Sequence, residues 1–179
     1  MKNIILSMTA LFLTLSISSQ TIVDTAVSNK DFSTLVTALK AADLVGALSG
    51  EGPFTVFAPN NAAFGKIDSE TLGSLLKPEN VKALSNILTY HVVSGKLMAS
   101  DVTKALKKGY GRTKLTALNG QTFLARSKGG KIFLKDQNDN MSEIIATDVV
   151  GTNGVIHVID TVIMPCLLYT SDAADEWRS

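Results

Sequence analysis

Few residues in this chain have types that could do chemistry. There are two histidines, His91 and His157, and one cysteine, Cys166, so no intramolecular disulfide can form. His157 stands in GTNGVIHVID, residues 151–160, where Asn153-Gly154 supplies a turn and aliphatic residues flank the ring on both sides. On a strand, Val155, His157 and Ile159 share one face while Ile156, Val158 and Asp160 share the other. A histidine on such an apolar face is expected to be neutral, with one ring nitrogen donating and one accepting. A bonded core residue is preferred to a base or a metal ligand, because perturbed titratable groups are often structural. With no cysteine inside the patterned part of the chain, a zinc site lacks its usual ligands. There is no G-x-S-x-G elbow and no phosphate-binding glycine loop, and nothing singles out a pair of carboxylates. No catalytic residue, metal ligand or cofactor is therefore expected, and the chain does not read as an enzyme.

Two further stretches invite a chemical reading. In DQNDNMSE, Asp136 to Glu143, the residues Asp136, Asn138 and Asn140 match the first three ligand positions of an EF-hand loop. Met141 then stands where glycine is required and Thr147 where the closing glutamate is required, so a solvated hairpin loop is expected instead. Lys104, Lys107, Lys108, Arg112 and Lys114 crowd around Gly109-Tyr110-Gly111, and Arg126, Lys128 and Lys131 gather further on. If they converge they could hold an acidic polysaccharide or an anionic lipid surface; a solvated face is the commoner fate of such lysines.

The elements that must position these residues sit in a chain of 179 residues, 45% hydrophobic and 18% charged, with a formal net charge of +1. That composition fits one folded domain and implies no strong field toward nucleic acid. MKNIILSMTALFLTLSISSQ reads as a secretory leader over residues 1–19, with an apolar run too short for a comfortable membrane span. The expected domain covers residues 20–165, exported and with no transmembrane span. CLLYTSDAADEWRS, residues 166–179, lacks a strand or helix pattern and reads as a non-native tail.

The first half is helical in pattern. Phe32, Leu35, Val36 and Leu39 recur at helical spacing, with Asn29 or Asp31 as cap, and Leu44, Ala47 and Leu48 continue a short helix stopped near Gly50. FTVFA, residues 54–58, reads as a buried strand followed by a turn at Pro59-Asn60-Asn61. Asp68 or Ser69 caps a helix through Leu76, Pro78 starts another whose stripe is Val81, Leu84, Ile87 and Leu88, and Ser100 caps one more through Leu106. Tyr90-His91 falls where helix changes to strand. The second half reads as strands over 114–118, 121–125, 131–135, 144–150 and 155–164, with hairpin turns at Asn119-Gly120 and Gly129-Gly130. Helices first and antiparallel strands later indicate an α+β fold.

Three stretches, in this order, resemble the fasciclin-like (fasciclin I) domain: FTVFAPNNAAF (54–64), LTYHVVSGKL (88–97) and NGVIHVIDTVIMP (153–165). With TIVDTAVSNKDFSTLVTAL near the start, the resemblance spans essentially the whole expected domain. It implies a compact β-wedge of mostly antiparallel strands with several helices packed around it. It also implies an exported or cell-surface protein acting in adhesion, with a cell-surface or matrix protein as partner. The family's Tyr-His stretch, associated with integrin recognition, matches Tyr90-His91; the residues themselves favour a structural role over direct contact, a buried ring with its hydroxyl satisfied beside a histidine tying the helix end to the first motif. The family's adhesive aspartate-isoleucine pair corresponds to Asp148-Val149, an exposed acid beside a shortened aliphatic side chain. The resemblance thus makes Tyr90, His91, Asp148 and Val149 the candidate binding residues.

Overall fold

In the computed structural model, residues 20–166 are described; the expected leader, and the expected tail beyond Cys166, lie outside the described residues. The chain enters through helix α1 (Ile22–Ser28), where Thr21 and Asp24 cap each other's backbone N–H groups. This helix was not anticipated, because seven residues are too few to show an apolar stripe. A 3₁₀ turn (Lys30–Phe32) capped by Asn29 leads into α2 (Ser33–Ala41), then α3 (Val45–Ser49). Strand β1 (Phe54–Pro59) is followed by α4 (Asn61–Phe64), a single turn where a plain loop was expected. Asp68 caps α5 (Ser69–Leu75) through the N–H groups of Glu70 and Thr71. Pro78 opens a 3₁₀ turn that runs into α6 (Val81–Tyr90), and β2 (Val92–Ser94) follows directly.

Helix α7 (Ala99–Lys108) begins one residue before Ser100, which is therefore not its cap. Strands β3 (Arg112–Thr116), β4 (Thr122–Lys128), β5 (Lys131–Lys135), β6 (Met141–Gly151) and β7 (Gly154–Ile159) complete the fold. β6 is longer than expected and β7 shorter. Past Ile159 the backbone N–H groups of Thr161, Ile163 and Met164 bond to the side chains of Ser142, His91 and Asp136 instead of to a neighbouring strand. Apolar patterning continues there, as Val162 and Ile163 are buried, but the ladder does not.

The seven strands form one sheet in the order β2-β1-β7-β6-β5-β4-β3. Every neighbouring pair is antiparallel except β1 with β7, which run parallel from Phe54↔Gly154 to Pro59↔Ile159. Val93 bridges Ala117, and the Leu118 N–H donates to the Val92 carbonyl at 2.7 Å, so the sheet curls back on itself into a nearly closed wedge. This is the α+β wedge with surrounding helices. Strand β7 lies inside the sheet between β1 and β6 and serves two cores. Ile156 packs into a cluster with Phe32, Leu35, Leu39 and Leu88 under the first helices; Ile159 packs into another with Phe57, Tyr90, Phe123 and Leu134. Gly154 lets β7 approach β1, since a Cβ there would run into the Phe54 carbonyl. Among the described residues, no helix is long and apolar enough to cross a membrane.

Candidate binding surface

Helix α6 delivers Tyr90 and His91 to the interior. Tyr90 has no exposed surface; its hydroxyl donates to the Thr122 carbonyl at 3.1 Å and its ring meets Phe123 edge-on. His91 is 3% exposed. Its Nδ1–H donates to the Ile87 carbonyl at 2.7 Å and its Nε2 accepts the Ile163 N–H at 3.2 Å, which joins LTYHVVSGKL to NGVIHVIDTVIMP. Burial pushes the Tyr90 phenol up to about 12, helped by the negative charge of Asp136 and opposed by a backbone hydrogen bond from Gln137. Burial pulls His91 down to about 4, against the opposing influences of the Ile87 carbonyl and Asp136. Both rings are thus neutral near pH 7 and point away from solvent. The packing agrees with the structural role favoured for this pair and removes Tyr90 and His91 as surface contacts for a partner: they hold the helix end, the strand β4 margin and the C-terminal segment together.

His157 and Asp148, read separately in the sequence, meet. The buried His157 ring stacks at 5.5 Å from Phe57, its Nε2–H donates to the Leu97 carbonyl at 2.7 Å, and its Nδ1 accepts the Asp148 N–H at 3.3 Å. Nothing in that arrangement leaves a ring nitrogen for a ligand. Asp148 sits in a bulged part of β6 with φ +59°, a left-handed conformation that aspartate tolerates better than most residues. Its Oδ1 accepts the N–H of Ala99, the first residue of α7, at 2.8 Å. The expected freely exposed acid is therefore corrected. Asp148 is half-buried and occupied, satisfying an orphan donor at a helix start. Thr55 completes the fixing of the intervening loop, donating to the Gly95 carbonyl and accepting the Leu97 N–H.

Val149, next along the bulge, opposes Ile156 and packs partly into the first core. It also lines an open groove of about 430 Å³ between α1 and β6, with Thr25, Phe32, Ile145 and Val158 around it. Ile145 is 50% exposed there. Of the four candidate residues, Val149 alone lines this groove, and Asp148 shapes the bulge beside it.

The basic stretches divide. Lys104, Lys107 and Lys108 stay on α7, whose Val102 and Leu106 pack into the second core with Phe123 and Leu134. Arg112 and Lys114 alternate outward with the half-buried Thr113 and Leu115 on β3, and strand pairing places them on the same open face as Arg126 and Lys128. The DQNDN stretch is not a cation loop. Asp136 is 4% exposed, and its carboxylate accepts the N–H groups of Asn138, Asn140 and Met164 and the Asn140 side-chain amide.

Three polar residues that organise the site were not singled out for that role: Thr55, Asp136 and Asn153. Asn153 accepts the Ile22 N–H and donates to the Leu48 and Gly50 carbonyls, clasping α1 and α3 onto the β6–β7 turn. The only sequence signal was a small polar side chain beside an apolar run. Asn61, read as a local turn-holder, donates instead to the Lys30 carbonyl and accepts the Thr34 N–H. Asn60 acts locally, capping α4 through Ala63.

Comparison with known proteins places these features in a family. The sequence model of the fasciclin domain matches residues 30–165. Protein sll1483 of Synechocystis sp. is 49% identical over 148 residues, covering 83% of this chain and 75% of that protein. The cell surface glycolipoprotein MPB83 of Mycobacterium bovis is 34% identical over 149 residues, covering 80% of this chain and 60% of MPB83. A solved FAS1 domain pair from the insect cell adhesion molecule fasciclin I superposes with a TM-score of 0.70 at 20% identity, covering 81% of this chain and 51% of that one. That last likeness is one of fold.

Proposed function

The chain belongs to the fasciclin domain family, and from that premise we propose that it is an exported, non-catalytic binding module for adhesion at a cell surface or in the surrounding matrix. A relative named as a cell surface glycolipoprotein and a structural neighbour described as a cell adhesion molecule support this reading. The observation that carries it is the groove beside the β6 bulge, with Val149 in its lining and half-exposed Ile145 beside it. A groove whose lining joins Phe32, Ile145, Val149 and Val158 to the polar Thr25, Ser28, Asn29, Asp31 and Asn60 suits a protein partner. Asp148 contributes by holding the bulge against α7. Both histidines and Asp136 are buried and occupied by internal hydrogen bonds, which supports a binding role over an enzymatic one that would use them.

The test is retention of the protein on cell-envelope and matrix fractions, comparing wild type with Ile145→Asp. A charge placed in a contact groove is expected to lower retention by about tenfold or more. Because Ile145 is half-exposed, the melting temperature should hardly change. Undiminished retention by Ile145→Asp would remove the groove from the contact. Turnover of a substrate that is lost on His157→Gln, in a variant that still folds, would overturn the non-catalytic reading.

A further inference from the structure

The outer face of β3, β4 and β5 carries an arrangement that folding alone disfavours. Two pairs of cations stand directly opposite each other across the strands, Arg112↔Arg126 and Lys128↔Lys131. Like charges in directly opposed positions destabilise a sheet. Lys114 lies two residues from Arg112 on the same face, and Lys135 lies across from Leu124. Neighbouring strands are about 4.8 Å apart and same-face residues about 6.7 Å apart along a strand, so six cations share a patch three strands wide. Two carboxylates answer them: Glu143 pairs with Lys131 at 2.7 Å and Asp139 with Lys135 at 2.8 Å. Among the described residues, Arg112, Lys114, Arg126 and Lys128 form no ion pair, and all four are exposed.

The patch is not flat. Leu124, 37% exposed, and the half-buried Phe133 lie between the cations. A depression of about 350 Å³ opens beside them, lined by Lys114, Thr122, Leu124, Lys135, Gln137 and Asp139 together with the buried Phe123 and Asp136. Its lining sets the exposed Leu124 beside the cations Lys114 and Lys135, and its exposed acid, Asp139, is already paired with Lys135.

We propose that the outer face of β3–β5 binds a linear acidic polysaccharide, whose carboxylates or sulfates neutralise Arg112, Lys114, Arg126 and Lys128 while the apolar C–H face of a sugar ring rests on Leu124 and Phe133. The inference extends the binding-module reading to a second surface, on different strands from the groove beside β6. Charge complementarity selects an anion. Leu124 and Phe133 set among the cations, with a depression beside them, favour a slender chain carrying apolar ring faces over a bilayer surface, which presents only headgroups. The weak net charge of the whole chain, +1, gives no long-range field of the kind a nucleic-acid binder uses.

The experiment measures binding of the full chain to immobilised polygalacturonate and heparin. Dextran serves as the neutral control, with phosphatidylserine vesicles and single-stranded DNA as competing polyanions. Binding should fall steeply with added salt, as expected for exposed charges. If each cation contributes as one does at an anionic lipid surface, binding should weaken on the order of fivefold per charge removed. Arg126→Glu is the decisive variant. It replaces an opposed like-charge pair with Arg112–Glu, so the melting temperature should hold or rise while polysaccharide binding is lost. Lys114→Ala should weaken binding without touching a cross-strand ion pair, and covers the case in which Arg126→Glu fails to fold. The triple variant Lys104→Ala, Lys107→Ala, Lys108→Ala on α7 should bind as wild type. No salt-sensitive binding to either acidic polysaccharide overturns the proposal, as does binding that survives both Arg126→Glu and Lys114→Ala. Tighter capture by the vesicles or the DNA overturns the choice of ligand. Absence of polysaccharide binding by the wild-type chain, with its retention on protein-bearing matrix intact, would sink this inference and leave the groove-based reading standing.

Discussion

Asp148 illustrates how one residue can look like a contact and behave as a fastening. Its carboxylate holds the Ala99 N–H and its own N–H goes to His157, so the β6–β7 hairpin and the start of α7 converge on it. Asp148→Ala removes the acceptor at the start of α7, worth about 1 kcal/mol. It also places alanine at φ +59°, adding about 1–2 kcal/mol. The melting temperature should fall by several degrees, and Asp148→Asn should recover much of it; a wild-type midpoint for Asp148→Ala would refute the capping role. Loss of adhesion in Asp148→Ala would therefore need a folding control before it could be read as loss of contact. His91 makes the second residue-scale prediction. Its folded value, about 4, lies below the unfolded value of 6.5. The unfolded chain therefore takes up a proton first as pH drops. Stability from this group is complete above about 6.5, declines between about 6.5 and 4, and totals up to about 3 kcal/mol. Asp160 acts in a lower window: burial raises it, but the Glu143 N–H and Lys66 outweigh burial, and its contribution disappears only below the ordinary carboxylate range. Denaturant midpoints measured from pH 7 to pH 4.5 should fall in wild type and fall less in a folded His91→Asn variant; parallel curves would exclude His91 as the source.

At the scale of elements, β7 and the bulge in β6 do the positioning. β7 is clasped between β1 and β6, and its alternate residues reach into different cores. The bulges between Ile144 and Val149 turn that part of β6 toward the groove and let the Asp148 N–H face His157. Gly154 opens β7 at the point where a side chain would strike Phe54. Gly154→Ala should force β1 and β7 apart at that end and cost several kcal/mol, comparable to other overpacked sites. Gly73→Ala, on α5 where nothing stands within 4 Å, should be neutral or slightly stabilising. Equal melting temperatures for the two variants would show that the close β1–β7 approach is unnecessary. Helix boundaries followed local chemistry wherever a cap was decisive, as at Asp68. They shifted at α7 because the acceptor for its first N–H comes from Asp148, which no local pattern could announce.

For the whole molecule, the two apolar clusters are expected to unfold together, because β7 belongs to both. Phe123→Ala in one, at about 3–5 kcal/mol, and Ile156→Ala in the other, at about 2–5 kcal/mol, should each lower a single calorimetric transition; two separated transitions would divide the fold into independent halves. The sequence by itself determined the fold class, the family, the position of most helices and strands, the hairpin turns and the interior setting of His157. Those follow from apolar periodicity, turn residues and short contiguous motifs, all properties of neighbours along the chain. The tertiary structure alone decided that Tyr90 and His91 face inward, that Asp148 caps α7, and that Asp136 anchors the C-terminal segment. It alone decided which cations share the outer sheet face. Each of these depends on partners brought together by strand order and register: Asp148 reaches Ala99 across 49 positions, His157 reaches Leu97 across 60, and His91 reaches Ile163 across 72. A side chain's chemical type can be read locally, but its exposure and its hydrogen-bond partner are set by whatever the rest of the fold packs against it.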